Sequence, residues 1–377
     1  MNDTIAIGES GPYRETQSSG AVWFFNLDGN LTNVLRSPIP VNSSYFGFSM
    51  TLFNGFLLIG DPGVLVDGEP FAGMVHVYSH NGTYLQSITS LEPMKDGEFG
   101  RSMACNDELL VIGEPGPQTQ DENVTSRVHV YDQDLRFLYT IQQSEARTGC
   151  FGMSLAVNND TIVIAEPYYD AWQGIVYLYD LEGNLLRNIT SPFYRITRRP
   201  RNFGFRISAN DNIIAIGEVR GSVEEHEFAG RAYIYDRNAV LLTNLTSLKP
   251  TGTAGFGYLL VLNDCVLIAD YVRVDEFNDR LGAVIYDKVG DIRAVVSSRD
   301  YEWVRGSPTS FTDELVVLGD IIGESGGVTY AGNVYVCAVP DGFWDIETEP
   351  EDAGSNDFIV FLLIGAIVFY IIGNRDR

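Results

Sequence analysis

Seven carboxylates recur along the chain at a nearly fixed interval. Glu9, Asp61, Glu114, Glu166, Glu218, Asp270 and Asp320 stand 50 to 53 residues apart, each closing an apolar run that ends in Gly or Ala, as in Leu57-Leu58-Ile59-Gly60-Asp61. Carboxylates at one level support three chemistries. They accept backbone N–H bonds at strand ends and so hold turns. A ring of them attracts cations or forms an electronegative funnel. Two at a suitable separation hydrolyse a glycosidic bond by acid–base catalysis. Seven equivalent acids single out no catalytic pair, which favours the structural role and leaves the other two as alternatives. Other catalytic signatures are scarce in the sequence: it has no Cys-x-x-Cys, His-Glu-x-x-His or phosphate loop, and its one Gly-x-Ser-x-Gly match, Gly323 to Gly327, lies in the Gly-rich variable loop after Asp320 rather than at a strand-to-helix turn. We therefore expect no enzyme, no metal and no cofactor. Of the four histidines, His76 and His129 occupy matching places in the repeat and read as packing residues.

One basic cluster stands against this background. Arg195, Arg198, Arg199 and Arg201 precede Phe203, with Arg206 just beyond and Phe193 and Tyr194 just before. Arg pairs with carboxylate or phosphate through a bidentate fork, and neighbouring aromatic residues supply the contact area of binding hot spots. The cluster reads either as a docking patch for an acidic ligand or as the partner of nearby acidic loops.

Composition narrows the function classes. The chain has 377 residues and a net charge of −25, with Asp plus Glu outnumbering Lys plus Arg by 50 to 25. Such a balance excludes a broad grip on nucleic acid, which needs a basic face. Four cysteines (Cys105, Cys150, Cys265 and Cys337) are too few for a disulfide-stapled scaffold. Hydrophobic residues make up 45%, enough for a sizeable core.

The acids belong to a larger repeat. Before six of them a Gly-initiated strand begins, at Phe46-Gly47, Phe99-Gly100, Phe151-Gly152, Phe203-Gly204, Phe256-Gly257 and the degenerate Arg305-Gly306. After each acid comes a variable loop, then an alternating strand such as Gly174-Ile-Val-Tyr-Leu-Tyr179, then a turn and a last strand. Four short runs bounded by Gly, Asn and Asp, with alternation and β-branched residues, predict four strands per repeat. About 52 residues per four strands is the size of a propeller blade. The expected fold is all-β, a seven-bladed β-propeller over residues 1–338 whose first blade lacks its inner strand. On this reading the acids, the loops after them and the blade-joining segments share one face.

Phe-Gly-x-Ser (Phe46 to Ser49, Phe99 to Ser102, Phe151 to Ser154), then Ile-Gly-acid-Pro (Ile59 to Pro62, Ile112 to Pro115), then Gly-x-Val-x-Val-Tyr, resembles the FG-GAP repeat family, the blades of the integrin alpha-subunit propeller and of many microbial surface proteins. The resemblance covers residues 1 to about 345. It implies a ligand-binding face at the acid-bearing end. Calcium loops of that family lie between the first two strands; here those turns are short, such as Asn106-Asp107 and Asn263-Asp264, without alternating Asp ligands. The resemblance is therefore to the calcium-free variety. The family usually has Ala between Gly and Pro, where this chain has Asp or Glu.

Beyond the repeats, residues 339–357 form an acidic stalk, and Phe358 to Gly373 are sixteen residues without a charge. At 1.5 Å per residue they span about 24 Å, short of a full hydrocarbon core of about 30 Å. Arg375 and Arg377 follow and acids precede, so the positive-inside rule places the last four residues (374–377) in the cytoplasm and the rest outside. The expectation is a single-pass protein of the cell membrane (or a virion), with an extracellular protein or glycan as partner. Sequons at Asn2, Asn30, Asn42, Asn81, Asn123, Asn159, Asn188 and Asn244 exceed the roughly three that chance would place, and mark glycosylation candidates. A leader and a further Phe-Gly strand are expected upstream of Met1. Recognition or adhesion is the function expected; a carbohydrate-active hydrolase and a structural coat component are the rivals.

Overall fold

The repeat pattern folds into strands throughout. A computed structural model describes residues 4–9, 19–39, 41, 44–117, 125–143, 149–194, 200–248, 250, 256–273, 279–297, 306–311, 315–320, 333–339, 359–362 and 369–370. Among these the strands form seven sheets. The first is three-stranded (Thr4–Glu9, Ala21–Asn26, Leu31–Arg36), without the inner strand that begins the others. The second holds Ser49–Phe53, Phe56–Asp61, Met74–Ser79 and Tyr84–Ile88; the third Met103–Cys105, Leu110–Glu114, Arg127–Tyr131 and Phe137–Gln142; the fourth Ser154–Val157, Ile162–Glu166, Ile175–Tyr179 and Leu185–Thr190. The fifth holds Phe203–Ala209, Ile213–Glu218, Arg231–Asp236 and Leu241–Thr246. The sixth holds Leu259–Leu262, Cys265–Arg273, Asp279–Asp287 and Ile292–Ser297, and the seventh Gly306–Phe311, Leu315–Asp320 and Asn333–Ala338. The strands named here follow one another as antiparallel meanders in chain order, and the fold is all-β and propeller-like.

Two compact units divide the chain, Met1–Phe205 and Arg206–Arg377. Within each, successive sheets pack face to face. In the first unit Phe46 sits with Val22 and Phe24 of the first sheet and Leu57, Ile59 and Tyr78 of the second. Phe99 joins Leu58 and Val75 to Leu110 and Ile112, and Phe151 joins Val111 and Val128 to Ile162 and Ile164. In the second unit Phe256 joins Ile213 and Ala215 to Val266 and Ile268. These phenylalanines are buried to 1% exposure or less. A ring that size removes enough apolar area to be worth about 2–3 kcal/mol.

Glycine explains the rest of the motif. Gly113, just before Glu114, lies so close to the next sheet that a Cβ would stand 2.5 Å from the carbonyl oxygen of Gly152; at Gly60 and Gly217 the equivalent approaches are 2.2 Å to Gly100 and 1.9 Å to Gly257. The serine of Phe-Gly-x-Ser fixes the same seam: Ser49 Oγ donates to the Gly100 carbonyl at 2.6 Å and Ser102 Oγ to that of Gly152 at 2.5 Å. At the other end of the strands, Asn106, Asn158 and Asn210 accept backbone N–H bonds of their own turns, and Asn106 Nδ2 donates to the Asn158 carbonyl of the next sheet at 2.9 Å.

Three features differ from the sequence reading. The second strand of the sixth sheet runs past its acid to Arg273, paired through to Asp279. A single turn, Tyr169–Trp172, with Asp170 and Ala171 in left-handed conformations, occupies the loop after Glu166. Within the apolar segment at 358–373, Ile359–Leu362 pairs in parallel with Ile292–Ser297 and Phe369–Tyr370 pairs with Asn333–Ala338; the remainder of the expected membrane helix lies outside the described residues. No helix among the described residues is long and apolar enough to cross a membrane.

The seam makes a contrast between two glycines. Gly113→Ala forces its methyl against backbone of the next sheet and should cost about 3 kcal/mol or more in chemical denaturation. Gly55→Ala faces open space at φ +79° and should cost only about 1 kcal/mol. Equal losses at both positions would count against the seam.

Candidate functional site

The acids are where chemistry would be sought, so their surroundings decide what they do. Asp61, Glu114, Glu166 and Glu218 are each 0% exposed. A buried carboxylate must be hydrogen-bonded or it costs several kcal/mol. Each of the four has a partner on the third strand of its own sheet, two residues beyond the residue directly opposite. Asp61 stands opposite Met74 and lies 3.5 Å from His76 Nε2. Glu114 stands opposite Arg127 and lies 2.8 Å from His129 Nε2. Glu166 accepts the Tyr177 hydroxyl at 2.9 Å and Glu218 that of Tyr233 at 2.7 Å. The half-buried Glu9 follows the rule, accepting Trp23 Nε1 at 2.8 Å.

The segment leaving the preceding sheet supplies a second donor. Ser37 Oγ donates to Asp61 at 3.2 Å, Ser90 Oγ to Glu114 at 3.0 Å and Gln143 Nε2 to Glu166 at 2.6 Å. Asp61 also accepts Ser44 Oγ at 3.0 Å and the Tyr45 backbone N–H at 2.7 Å. Arg127 Nε lies 3.1 Å from Glu114 and its Nη1 3.1 Å from Glu92. Gly149 leaves room for Glu166, since a Cβ there would stand 1.7 Å from Oε1. The seam phenylalanines lie against the donors: Phe46 to His76 at 5.6 Å, Phe99 to His129 at 5.3 Å and Phe151 to Tyr177 at 5.5 Å between ring centroids. The same carboxylates therefore bind third strand, second strand and incoming segment together. The side chains of Asp270 and Asp320 lie outside the described residues. Val284, at the donor position of the sixth sheet, can donate nothing.

The chemistry open to this arrangement is restricted. Among the described residues no cluster of His, Cys, Asp or Glu could hold a metal ion. His76 Nδ1 contacts Ser87 Oγ at 2.8 Å and His129 Nδ1 contacts Thr140 Oγ1 at 3.1 Å; His129 is thus held at both nitrogens in the interior, whereas His76 Nε2 faces Asp61 at 3.5 Å without a hydrogen bond. Cys105, Cys150 and Cys265 are free thiols; burial pushes Cys150 up to about 12 and Cys265 up to about 11. Both stay protonated at neutral pH and make poor nucleophiles.

The arginine cluster is only partly described. Arg195, Arg198 and Arg199 lie outside the described residues. Arg201 is 4% exposed, its guanidinium 5.5 Å from the Phe193 ring centroid, a placement that withdraws it from any surface patch. Tyr194 donates its hydroxyl to Asp170 at 2.6 Å. Of the sequon asparagines, Asn30, Asn81, Asn159, Asn188 and Asn244 are exposed, the last two on outer strands; Asn2, Asn42 and Asn123 lie outside the described residues. Sequence reasoning missed the third-strand donors and the Ser or Gln after each outer strand. Their signal was positional: Trp23, His76, His129, Tyr177 and Tyr233 share one register, and Ser37, Ser90 and Gln143 another.

No protein-family model and no curated protein matches the chain. Among solved structures, the β-propeller domain of the Trilobed protease from Pyrococcus furiosus, described as having an open velcro topology, is similar at 14% identity, with 84% of each chain covered and a TM-score of 0.48.

Two measurements follow from the buried site. Tyr139 and Tyr179 are pushed up to about 12, by burial first and then by Asp180 and Glu182 for Tyr139 and by Glu166 for Tyr179. Tyr78, Tyr131, Tyr177 and Tyr235 are held higher still, again by burial first. A raised folded value means their contribution to stability is intact below the ordinary tyrosine value of about 10 and is lost as pH rises through the folded one. Alkaline titration by tyrosinate absorbance should leave these phenols neutral until about pH 12, with unfolding; complete ionisation near pH 10 in folded protein would contradict the packing. Ser90→Ala should lower stability by about 1 kcal/mol in urea melts, the scale of one hydrogen bond to a buried carboxylate.

Proposed function

We propose that this chain is a membrane-anchored surface protein that recognises a protein or glycan through the loops at the acid-bearing end of an FG-GAP-like propeller of seven blades. The observation that carries the reading is the division between framework and loops. All four fully buried acids are committed to internal hydrogen bonds, whereas the loops beside them differ from sheet to sheet. Loops 62–73 and 219–230 carry small hairpins closed by Val66–Glu69 and Val223–His226 bridges, and loop 167–174 carries the Tyr169–Trp172 turn. Variable loops on a rigid scaffold are the usual location of binding residues. The burial of Asp61, Glu114, Glu166 and Glu218 weighs against their use in a hydrolase, which needs two carboxylates open to a sugar.

The apolar composition of 358–373 and its flanking charges support a C-terminal anchor with the repeats outside, and the strand pairings of Ile359–Leu362 and Phe369–Tyr370 stand against it. Exposed sequons at Asn188 and Asn244 on outer strands support glycans that shield sheet edges from other chains.

The test is a binding screen of the detergent-solubilised full chain against glycans and surface proteins, beside an Arg198→Glu/Arg199→Glu variant that leaves the buried Arg201 intact. The expected result is a ligand whose affinity falls about tenfold or more in the variant at unchanged melting temperature. Glycan turnover by the parent would replace this reading with a hydrolase, and ordered self-assembly without other binding would replace it with a coat component.

A further inference from the structure

We infer that the second unit carries a binding site for a carboxylated sugar, at the strand ends opposite Glu218. A groove of about 490 Å³ lies between the fifth and sixth sheets, within the range of small-ligand sites of about 300–1,000 Å³. Two hairpins and two short turns line it. Asn212 and Ile213 come from one inner turn and Asp264 from the next; Asp236, Arg237 and Leu242 come from the hairpin of the fifth sheet, and Lys288 and Val289 from that of the sixth.

The polar groups divide into committed and uncommitted ones. Asp264 is committed: Oδ1 accepts Asn212 Nδ2 at 2.9 Å and Oδ2 accepts Lys288 Nζ at 2.6 Å. Asp236 Oδ1 is committed to the backbone N–H groups of Asn238 and Val240 at 2.9 and 2.7 Å. Arg237 is not. Its backbone N–H donates to the Asn212 carbonyl at 3.1 Å, which fixes the residue on the wall, but its exposed guanidinium makes no hydrogen bond or ion pair among the described residues. Lys288 Nζ has two donors left after Asp264. The groove thus offers a free planar fork on one wall and ammonium donors on the other.

Between them lies apolar surface. Leu242 is 44% exposed and Val289 63% exposed, two aliphatic side chains presented to solvent beside the charges. A guanidinium fork accepts a carboxylate in bidentate geometry. The aliphatic pair suits the C–H face of a sugar ring, and the Lys288–Asp264–Asn212 chain suits its hydroxyls. The third and fourth sheets lack the cations: Gln133 and Leu181 stand where Arg237 and Lys288 stand, each just after the Asp that ends or directly follows a third strand. This site is independent of the loops at the acid-bearing end and does not depend on their function.

The test uses the full chain and three probes, D-glucuronate, D-glucose and acetate, followed by saturation-transfer NMR and calorimetry. Glucuronate should bind about tenfold or more tightly than glucose or acetate. Arg237→Gln should weaken glucuronate about tenfold and Lys288→Gln about threefold, while Arg136→Gln, at an exposed hairpin of the third sheet, should change nothing. The proposal is overturned if glucuronate fails to bind the folded parent at millimolar concentration, if Arg237→Gln binds it equally well, or if glucose or acetate matches it.

Discussion

A carboxylate that loses all contact with water must find donors inside the protein, and in this chain the same solution recurs from sheet to sheet. Glu9, Glu114, Glu166 and Glu218 each take one donor from the strand that follows in their own sheet, Trp23, His129, Tyr177 or Tyr233, and Asp61 faces His76 at the same position. Where the partner is described, a further donor comes from the segment that arrives from the sheet before, Ser37, Ser90 or Gln143. Removing either side leaves a buried polar group unpaired, which is why such networks hold a register rather than merely adding stability. The register in question is the one between consecutive sheets.

Everything else in the repeat follows from that approach. Bringing the second strand of one sheet under the first strand of the next leaves no room for a Cβ, so Gly60, Gly113 and Gly217 face Gly100, Gly152 and Gly257. Phe46, Phe99 and Phe151, each beside the glycine that opens its strand, lie against His76, His129 and Tyr177, and Ser49 and Ser102 donate across the seam. Phe-Gly, Gly-acid and the Gly that opens the third strand are thus three sides of one contact. The Gly73–Phe99 and Gly230–Phe256 bridges complete it.

Much of this was legible in the sequence, because spacing and glycine placement survive in one dimension. The interval of 50 to 53 residues, the four runs per repeat and the missing inner strand of the first sheet correspond to the observed meanders. The donors were not legible, because their type changes from Trp23 to His76 and His129 to Tyr177 and Tyr233 and only their register is constant. Arg201 misled for a different reason. Five arginines in twelve residues look like a surface patch, yet one of them is buried with its guanidinium over the Phe193 ring. The groove at Arg237 and Lys288 was invisible in sequence, since those residues lie 51 positions apart and meet only through sheet packing.

The account rests on the acids being structural members coupled to their donors. A double-mutant cycle on Glu166 and Tyr177, read by urea unfolding, tests it most directly. Glu166→Gln and Tyr177→Phe should each destabilise by about 1–3 kcal/mol, and the pair should fall short of the sum by about 1–2 kcal/mol. Single variants as stable as the parent, or strictly additive losses, would contradict the account and return the acids to the search for a ligand.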